Sequence, residues 1–581
     1  KSEPPHAQVK RVVKAPVDTW ALKTQNQKKE TIMEKRGFLE KLYQGEFDKV
    51  LFMSCSGSEI SDRGRSILNA YVELAKKYSP LDLEKKGELP EELWEGLKKT
   101  EMFALTIPES YGGSGLSLSD YLNIIETAAA HDMALAIIPL AHHSIGLKGI
   151  ILYGSEEQKK KYLPRAASGE MIFAYALTEP DTGSDAKHIK TLAERSEDGR
   201  HYILNGTKTY ITNGGYAGGM TVFAQMDKEK PGFMGAFIVE TGWEGVEIGK
   251  DMPKMGLTVS STTMVKFNNV RVPSENIIGD PGDGFKIAMT ILNYGRLGLA
   301  AASNGLMKQS AKEMLERAHK RKQFGVPISE FELIQEKIVK ARVNGFLSKA
   351  MTAFTAGMLE KDPLVRVAVE SSHAKLFSTT SAWDVLYDTL QTHGGSGYLK
   401  TLPHEKRLRD FRVTTVFEGT TEIHTIYPPL FLFRVMTKGS KRFGRRWVNT
   451  IKSAFQLFKK LSMDRRYDNP VLEKARKGAF RRIRGVRFML LAGLIYYGKN
   501  VLKREFYLRR VTDLSVQVFA LISSISFIDT MRREGHDVTE YLNLLEYYLA
   551  EIQSSGRCAC RVRPDLKEKL HHKVFKGLNL T

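Results

Sequence analysis

The sequence predicts a multidomain α+β protein, helical at both ends, with one compact β unit between. Three textures carry that reading. Through the first 170 residues, apolar side chains recur at three- and four-residue intervals, in segments such as 30–51, 63–78 and 118–141. From Met171 to about Asp280 the chain favours strands, at 202–204, 208–212, 220–225, 236–239 and 264–267, with turn signals at Asn205-Gly206 and Asn213-Gly214-Gly215. After Gly284 long helical patterns return and run, with breaks, to the end. Helix, strand, helix in that order is a specific architecture.

Composition bounds the rest. The chain has 581 residues, 42% of them apolar, which suits three or four packed units at about 150 residues each and excludes global disorder. No apolar run approaches the roughly 18–20 residues needed to cross a bilayer, and the longest candidate, 488–498, is about half that, so a spanning protein is not expected. Cys55, Cys558 and Cys560 read as reduced thiols of an intracellular protein. The chain starts at Lys1, leaving room for a removed targeting segment, and none is visible.

The net charge of +21 is concentrated. Residues 441–510 hold 21 Lys/Arg against 4 Asp/Glu, whereas the first 440 residues hold 57 against 53. So dense a basic segment calls for an anionic partner, a membrane surface or a nucleic acid. Within it Phe443, Trp447, Ile451, Ala454, Phe458 and Leu461 fall on one helical face, widened by Val448, Phe455 and Leu457. Arg445, Asn449, Lys452, Gln456, Lys459 and Lys460 occupy the other half. That is the pattern of a helix lying in a membrane interface, and also of one packed on the body with a solvated basic face.

Five stretches can carry chemistry. Residues 175–185 (YALTEPDTGSD) form a hydroxyl-rich loop at the helix-to-β junction. Such a loop can cap itself, or grip a planar heterocycle or phosphate with its free N–H groups. Residues 208–215 (KTYITNGG) add an aromatic and a hydroxyl at a hairpin end. Residues 321–325 (RKQFG) end a helix, and 391–398 (QTHGGSGY) form a glycine-rich break that lets backbone approach a phosphate. Last come Arg407-Leu408-Arg409-Asp410 and 416–423 (VFEGTTEI), where Glu418 sits between an aromatic and a glycine.

In this order the five stretches resemble the acyl-CoA dehydrogenase family and, within it, the very-long-chain type. Tyr111-Gly112-Gly113, 141–146 (AHHSIG), Lys254-Met255-Gly256, 271–276 (RVPSEN) and Asn293-Tyr294-Gly295-Arg296 extend the likeness across about 65–430. The resemblance implies an N-terminal helical extension (1–64), an N-terminal α domain (65–170), a central β-barrel or sandwich domain (171–284) and a catalytic C-terminal four-helix bundle (285–436). Beyond these it implies the basic amphipathic segment (437–470) and an extra C-terminal helical domain (471–581).

It further implies FAD-dependent α,β-dehydrogenation of long-chain acyl-CoA thioesters in fatty acid β-oxidation. Glu418 would be the α-proton base; some relatives place the base at the position of Gly295, which cannot serve. Tyr175, Leu177, Thr178, Tyr210 and Thr212 would contact the isoalloxazine, with Ser184 at the flavin–CoA boundary. Arg321, Phe324, Gln391, Gly394 and Gly395 would hold the flavin's far end across a homodimer or higher oligomer, and Thr420 and Glu422 would close the site. Asn293 and Arg296 would serve the CoA end, Gly419 the substrate, and small Ala134 and Ala136 the bottom of the acyl pocket. No metal is implied. The expected oxidant is the electron-transfer flavoprotein, and the expected location is peripheral to the inner membrane of a bacterium, or to the matrix side of the mitochondrial inner membrane. Other classes with this resemblance are a DNA-binding flavoprotein homologue and a non-catalytic assembly factor; the exposed apolar face of the basic segment and the retained Glu418 speak against them.

Overall fold

The computed structural model describes residues 35–55, 59–437, 461 and 466–554. The basic amphipathic segment at 441–463 lies, apart from Leu461, outside the described residues.

Helices lead in. The expected helix at 30–51 is, in its described part, two short ones, Phe38–Tyr43 and Lys49–Phe52, because the chain turns at Gly45 with φ of 90°. The expected helix at 118–141 is also two, Leu118–His131 (α1) and Met133–Ala141 (α2). Asp132 breaks it by going extended (φ −150°), and its carboxylate accepts the backbone N–H of Ala134 at 2.9 Å, a side-chain cap that periodicity does not reveal.

The sheet follows, from strands Ile172–Ala176 (β1), Leu192–Arg195 (β2), His201–Thr212 (β3), Ala217–Gln225 (β4), Met234–Glu240 (β5), Val246–Ile248 (β6) and Thr262–Pro273 (β7). Its order is β1-β4-β2-β3-β7-β6, with β5 on the other edge of β4. Strand alternation divides its apolar residues between two cores. Met220, Val222 and Ala224 of β4 join Leu204, Phe237, Val265 and Val272 inside the curl of the sheet. Phe223, with Phe173 and Ile238, faces helical residues Leu147, Tyr162, Ile287 and Ile291. Asn205-Gly206, read above as a turn, is a bulge inside β3: the register with β7 slips between Leu204 and Gly206, and Gly206 has φ of 150°. The Asn213 turn holds as expected, between β3 and β4.

The sequence run AHHSIG locks helices to sheet. Fully buried His142 accepts the Phe173 N–H on Nδ1 at 3.0 Å, and burial pushes its pKa down to about 3, so it stays neutral. The Gly146 carbonyl accepts the Thr221 hydroxyl at 2.8 Å, and a Cβ on Gly146 would sit 2.5 Å from the Phe173 carbonyl oxygen.

Long helices complete the body: Gly284–Lys320 (α3), Glu332–Lys361 (α4), Ala368–His393 (α5) and Thr421–Thr437 (α6). Against α4 and α6 pack Pro470–Tyr497 (α7), Glu505–Arg533 (α8) and Thr539–Ser554 (α9), the extra C-terminal helices. The Ser515 hydroxyl on α8 bonds both Tyr43 (2.6 Å) and His373 of α5 (2.7 Å), tying the added helices to the bundle.

Two segments, Met133–Tyr153 and Glu505–Arg533, are long and apolar enough to cross a membrane by length and composition, contrary to the reading from apolar runs. Their most apolar stretches are mostly buried within the protein, which makes them core helices; a few polar residues interrupting each run hid them from the count. Cys55 is buried and forms no disulfide, while Cys558 and Cys560 lie outside the described residues.

Candidate active site

Where the sheet meets α3 and α6, a cavity of about 400 Å³ is lined by Tyr175, Leu177, Thr178, Ser184, Tyr210, Thr212, Arg296, Glu418 and Gly419. Nine residues singled out in the sequence, from four separate stretches, thus meet at one place.

Two local devices shape its β wall. The loop after β1 is pinned to β3, because the Thr209 N–H donates to the Thr178 carbonyl at 2.9 Å and Lys208 Nζ to the Leu177 carbonyl at 3.0 Å. Behind that loop Lys208 meets Glu179 at 2.8 Å, both buried, and Glu179 also accepts the Lys190 and Thr191 N–H groups. Tyr210, next along β3, is 66% exposed at φ of 57°, a left-handed conformation that costs a bulky residue about 1–3 kcal/mol.

Opposite stands Glu418, on the approach to α6. It and Gly419 both have positive φ, 53° and 100°, and this double left-handed turn aims the carboxylate inward. His424 Nε2 bonds the Glu418 carbonyl at 3.1 Å, and its Nδ1 bonds the Ser372 hydroxyl at 2.7 Å. Since burial holds His424 neutral, the hydroxyl donates to Nδ1 and Nε2–H donates to the carbonyl. Lys375 Nζ donates to the Gly419 carbonyl at 2.7 Å.

The carboxylate itself is left wanting. Glu418 Oε2 is sealed from solvent with no hydrogen-bond partner among the described residues. A Cβ on Gly295 would lie 2.2 Å from that oxygen, so α3 has a glycine where the carboxylate needs room. Burial pushes the Glu418 pKa up to about 7, against the pull of Lys375 and Arg296. A carboxyl in that range can take up or release a proton near neutral pH.

Other expected residues fall elsewhere. Asn293 does not line the cavity; its Oδ1 accepts from the Ser371 hydroxyl (2.8 Å) and from Arg296 Nη1 (3.2 Å), which makes it a support for Arg296. Ala134 and Ala136 are buried but do not line the cavity either; Ile137, Leu140 and Ala141, further along α2, do. Thr420 caps α6, accepting the Ile423 N–H at 3.3 Å, and Glu422 is exposed in its first turn. Arg321, Phe324, Gln391, Gly394 and Gly395 are exposed and outside the cavity, Phe324 at 94%.

Sequence reasoning missed Lys375, His424, Lys208 and Glu179 as working residues. The signal for Lys375 was the run of polar residues buried along α5: Ser371, Ser372, His373, Lys375, Ser378 and Thr379. No groups of three or more His, Cys, Asp or Glu among the described residues could hold a metal ion.

Family models match three consecutive parts of the chain: the acyl-CoA dehydrogenase N-terminal domain over 63–170, middle domain over 174–270 and C-terminal domain over 282–427. The human mitochondrial very long-chain specific acyl-CoA dehydrogenase is 35% identical over 476 residues, spanning 78% of this chain and 72% of that protein. A Bacillus subtilis acyl-CoA dehydrogenase is 37% identical over 346 residues, 59% of this chain and 90% of its own. Among solved structures, the acyl-CoA dehydrogenase of Bacillus anthracis complexed with FAD superposes with a TM-score of 0.73 at 26% identity, over 94% of this chain and 96% of that one. Butyryl-CoA dehydrogenase of Megasphaera elsdenii gives 0.61 at 33% identity over 65% of this chain and 99% of that one. With its three domains matched in order around a cavity that holds Glu418, the chain belongs to the acyl-CoA dehydrogenase family.

Proposed function

We propose that this enzyme removes the elements of hydrogen from Cα and Cβ of a long-chain acyl-CoA, with Glu418 as the α-proton base and FAD as cofactor. The observation that carries the reading is the unpartnered, solvent-sealed Oε2 of Glu418 inside a cavity walled by Leu177, Thr178, Tyr210 and Thr212. The residues fit the flavin: backbone and hydroxyl groups of the β1 loop, the Tyr210 face and an apolar wall from Ile137 and Leu140 surround a space of the right chemistry. When bound, FAD supplies the acceptor for the Cβ hydride.

The protein's part is the proton. A thioester α-proton is weakly acidic, so the base must be both strong and close. Burial supplies the strength by raising the pKa of Glu418 to about 7; the carboxylate is ionised above that pH and the rate falls as pH drops through it. The Glu418–Gly419 turn, fixed by His424 and Lys375 at its two carbonyls, supplies the aim. The apolar α2 wall of Ile137, Leu140 and Ala141 suits a fatty acyl tail.

Exposed Arg321, Phe324, Gln391, Gly394 and Gly395 support a cofactor site completed by a second copy of the chain. Electron-transfer flavoprotein is the proposed oxidant. Peripheral attachment to an anionic inner membrane through 441–463 is proposed from its sequence; deleting those residues should release the enzyme from anionic vesicles without loss of activity on soluble thioesters, and unchanged vesicle binding rejects it.

Titrating the yellow holoenzyme with C8–C20 acyl-CoAs should bleach the flavin band. Glu418→Gln should keep the flavin and slow bleaching by about 10²–10⁴-fold. Full bleaching by that variant rejects the base assignment.

A further inference from the structure

We propose that Lys375 is a positioning residue for the base: from the middle of α5 it clamps the Gly419 carbonyl and places a positive charge beside the Glu418 carboxylate, keeping that carboxylate in its ionised form. This rests on the reading of Glu418 above.

The geometry is specific. Lys375 is fully buried, among Ser371, Ser378 and Thr379 on its own helix. Its 2.7 Å bond to Gly419 is made one residue beyond the base, in a turn of two successive positive-φ residues that has no regular secondary structure to hold it. A buried ammonium is costly unless a partner repays its desolvation. Here the repayment is one peptide carbonyl and the attraction of the Glu418 carboxylate; among the described residues no ion pair within 4 Å involves Lys375.

The charges around Glu418 come from several elements. Arg296 stands on α3, His373 and Lys375 on α5, Glu422, His424 and Tyr427 on α6, Tyr175 on β1 and Tyr121 on α1. His373 and His424 are held neutral by burial, and both tyrosines facing Glu418 are held protonated. Two cations remain. Arg296 is permanently charged. Lys375 is the one that titrates, brought down to about 7 by burial against the pull of Glu418. Base and lysine therefore lose or share protons in the same range and behave as a coupled pair.

Two measurements on the holoenzyme test this. The first is the pH profile of single-turnover flavin reduction. The second is the infrared titration of the carboxyl band that Glu418→Gln removes, which reports Glu418 whether or not it is the base. In Lys375→Met both midpoints should rise by about 1 unit or more, the loss expected when an opposite charge leaves a carboxylate's surroundings. Rates should approach wild type at high pH. Lys375→Gln, which can still bond the Gly419 carbonyl but carries no charge, should move both midpoints as well, and Lys375→Arg should restore them. Unmoved midpoints in the Met and Gln variants, or a uniform rate loss at every pH, overturn the proposal. If Glu418→Gln reduces flavin normally while the infrared midpoint still moves, the base assignment fails and the Lys375–Glu418 pairing stands.

Discussion

Glu179 and Glu418 are both acidic side chains with a buried lysine beside them, and they end in opposite states. Glu179, behind the β1 loop, accepts from Lys208 at 2.8 Å and from two backbone N–H groups. Burial alone would raise its pKa, but the Lys208 charge and those hydrogen bonds outweigh it and hold the carboxyl below its ordinary value. At Glu418 the lysine spends its hydrogen bond on a neighbouring carbonyl, one carboxylate oxygen has no partner, and burial wins. The same two residue types make a rigid brace in one place and, in the other, a carboxylate left free for the proposed role of base. What separates them is whether the carboxylate's lone pairs are satisfied.

That contrast can be broken from either side. The largest effect is expected at the brace. Lys208→Met leaves Glu179 buried without its counter-charge, and the domain should lose about 3–5 kcal/mol of stability in denaturant unfolding. A loss under 1 kcal/mol would mean that the backbone N–H groups alone satisfy Glu179. On the other side, Gly295→Ala puts a methyl 2.2 Å from Glu418 Oε2, closer than any carbon–oxygen contact, so the carboxylate must move. Flavin reduction should drop about 10²-fold, with the flavin still bound and the melting temperature nearly unchanged. Wild-type turnover by this variant would show that the base has room the structure denies it.

The site was legible in the sequence where its residues sit in compact runs. The hydroxyl loop 175–185, the Tyr210 hairpin and the Glu418-Gly419 pair converge on one cavity. Residues working singly from helix faces were not legible. The polar run on α5 that contains Lys375 does not say which of its members works, because the partner, the Gly419 carbonyl, lies in a turn 44 residues on, and Ala134 and Ala136, placed at the pocket bottom by the family resemblance, are buried away from the cavity. The strand pattern located the sheet, yet Asn205-Gly206 looks the same in a bulge as in a turn. The two buried helices rich in apolar residues escaped a test based on unbroken runs, since the polar residues that interrupt them, such as His142, His143 and Ser515, are satisfied by neighbours from elsewhere in the fold.

By itself the sequence determined the succession of helix and strand, the place of the β unit and the order of the chemical stretches. Those depend on periodicity and short-range turn chemistry, both written in neighbouring residues. Only the tertiary structure decided which acid would be braced and which left ready to take a proton. Desolvation and hydrogen-bond satisfaction are set by groups that arrive from distant segments, here α3, α5 and α6 for Glu418 and the loop before β2 together with β3 for Glu179.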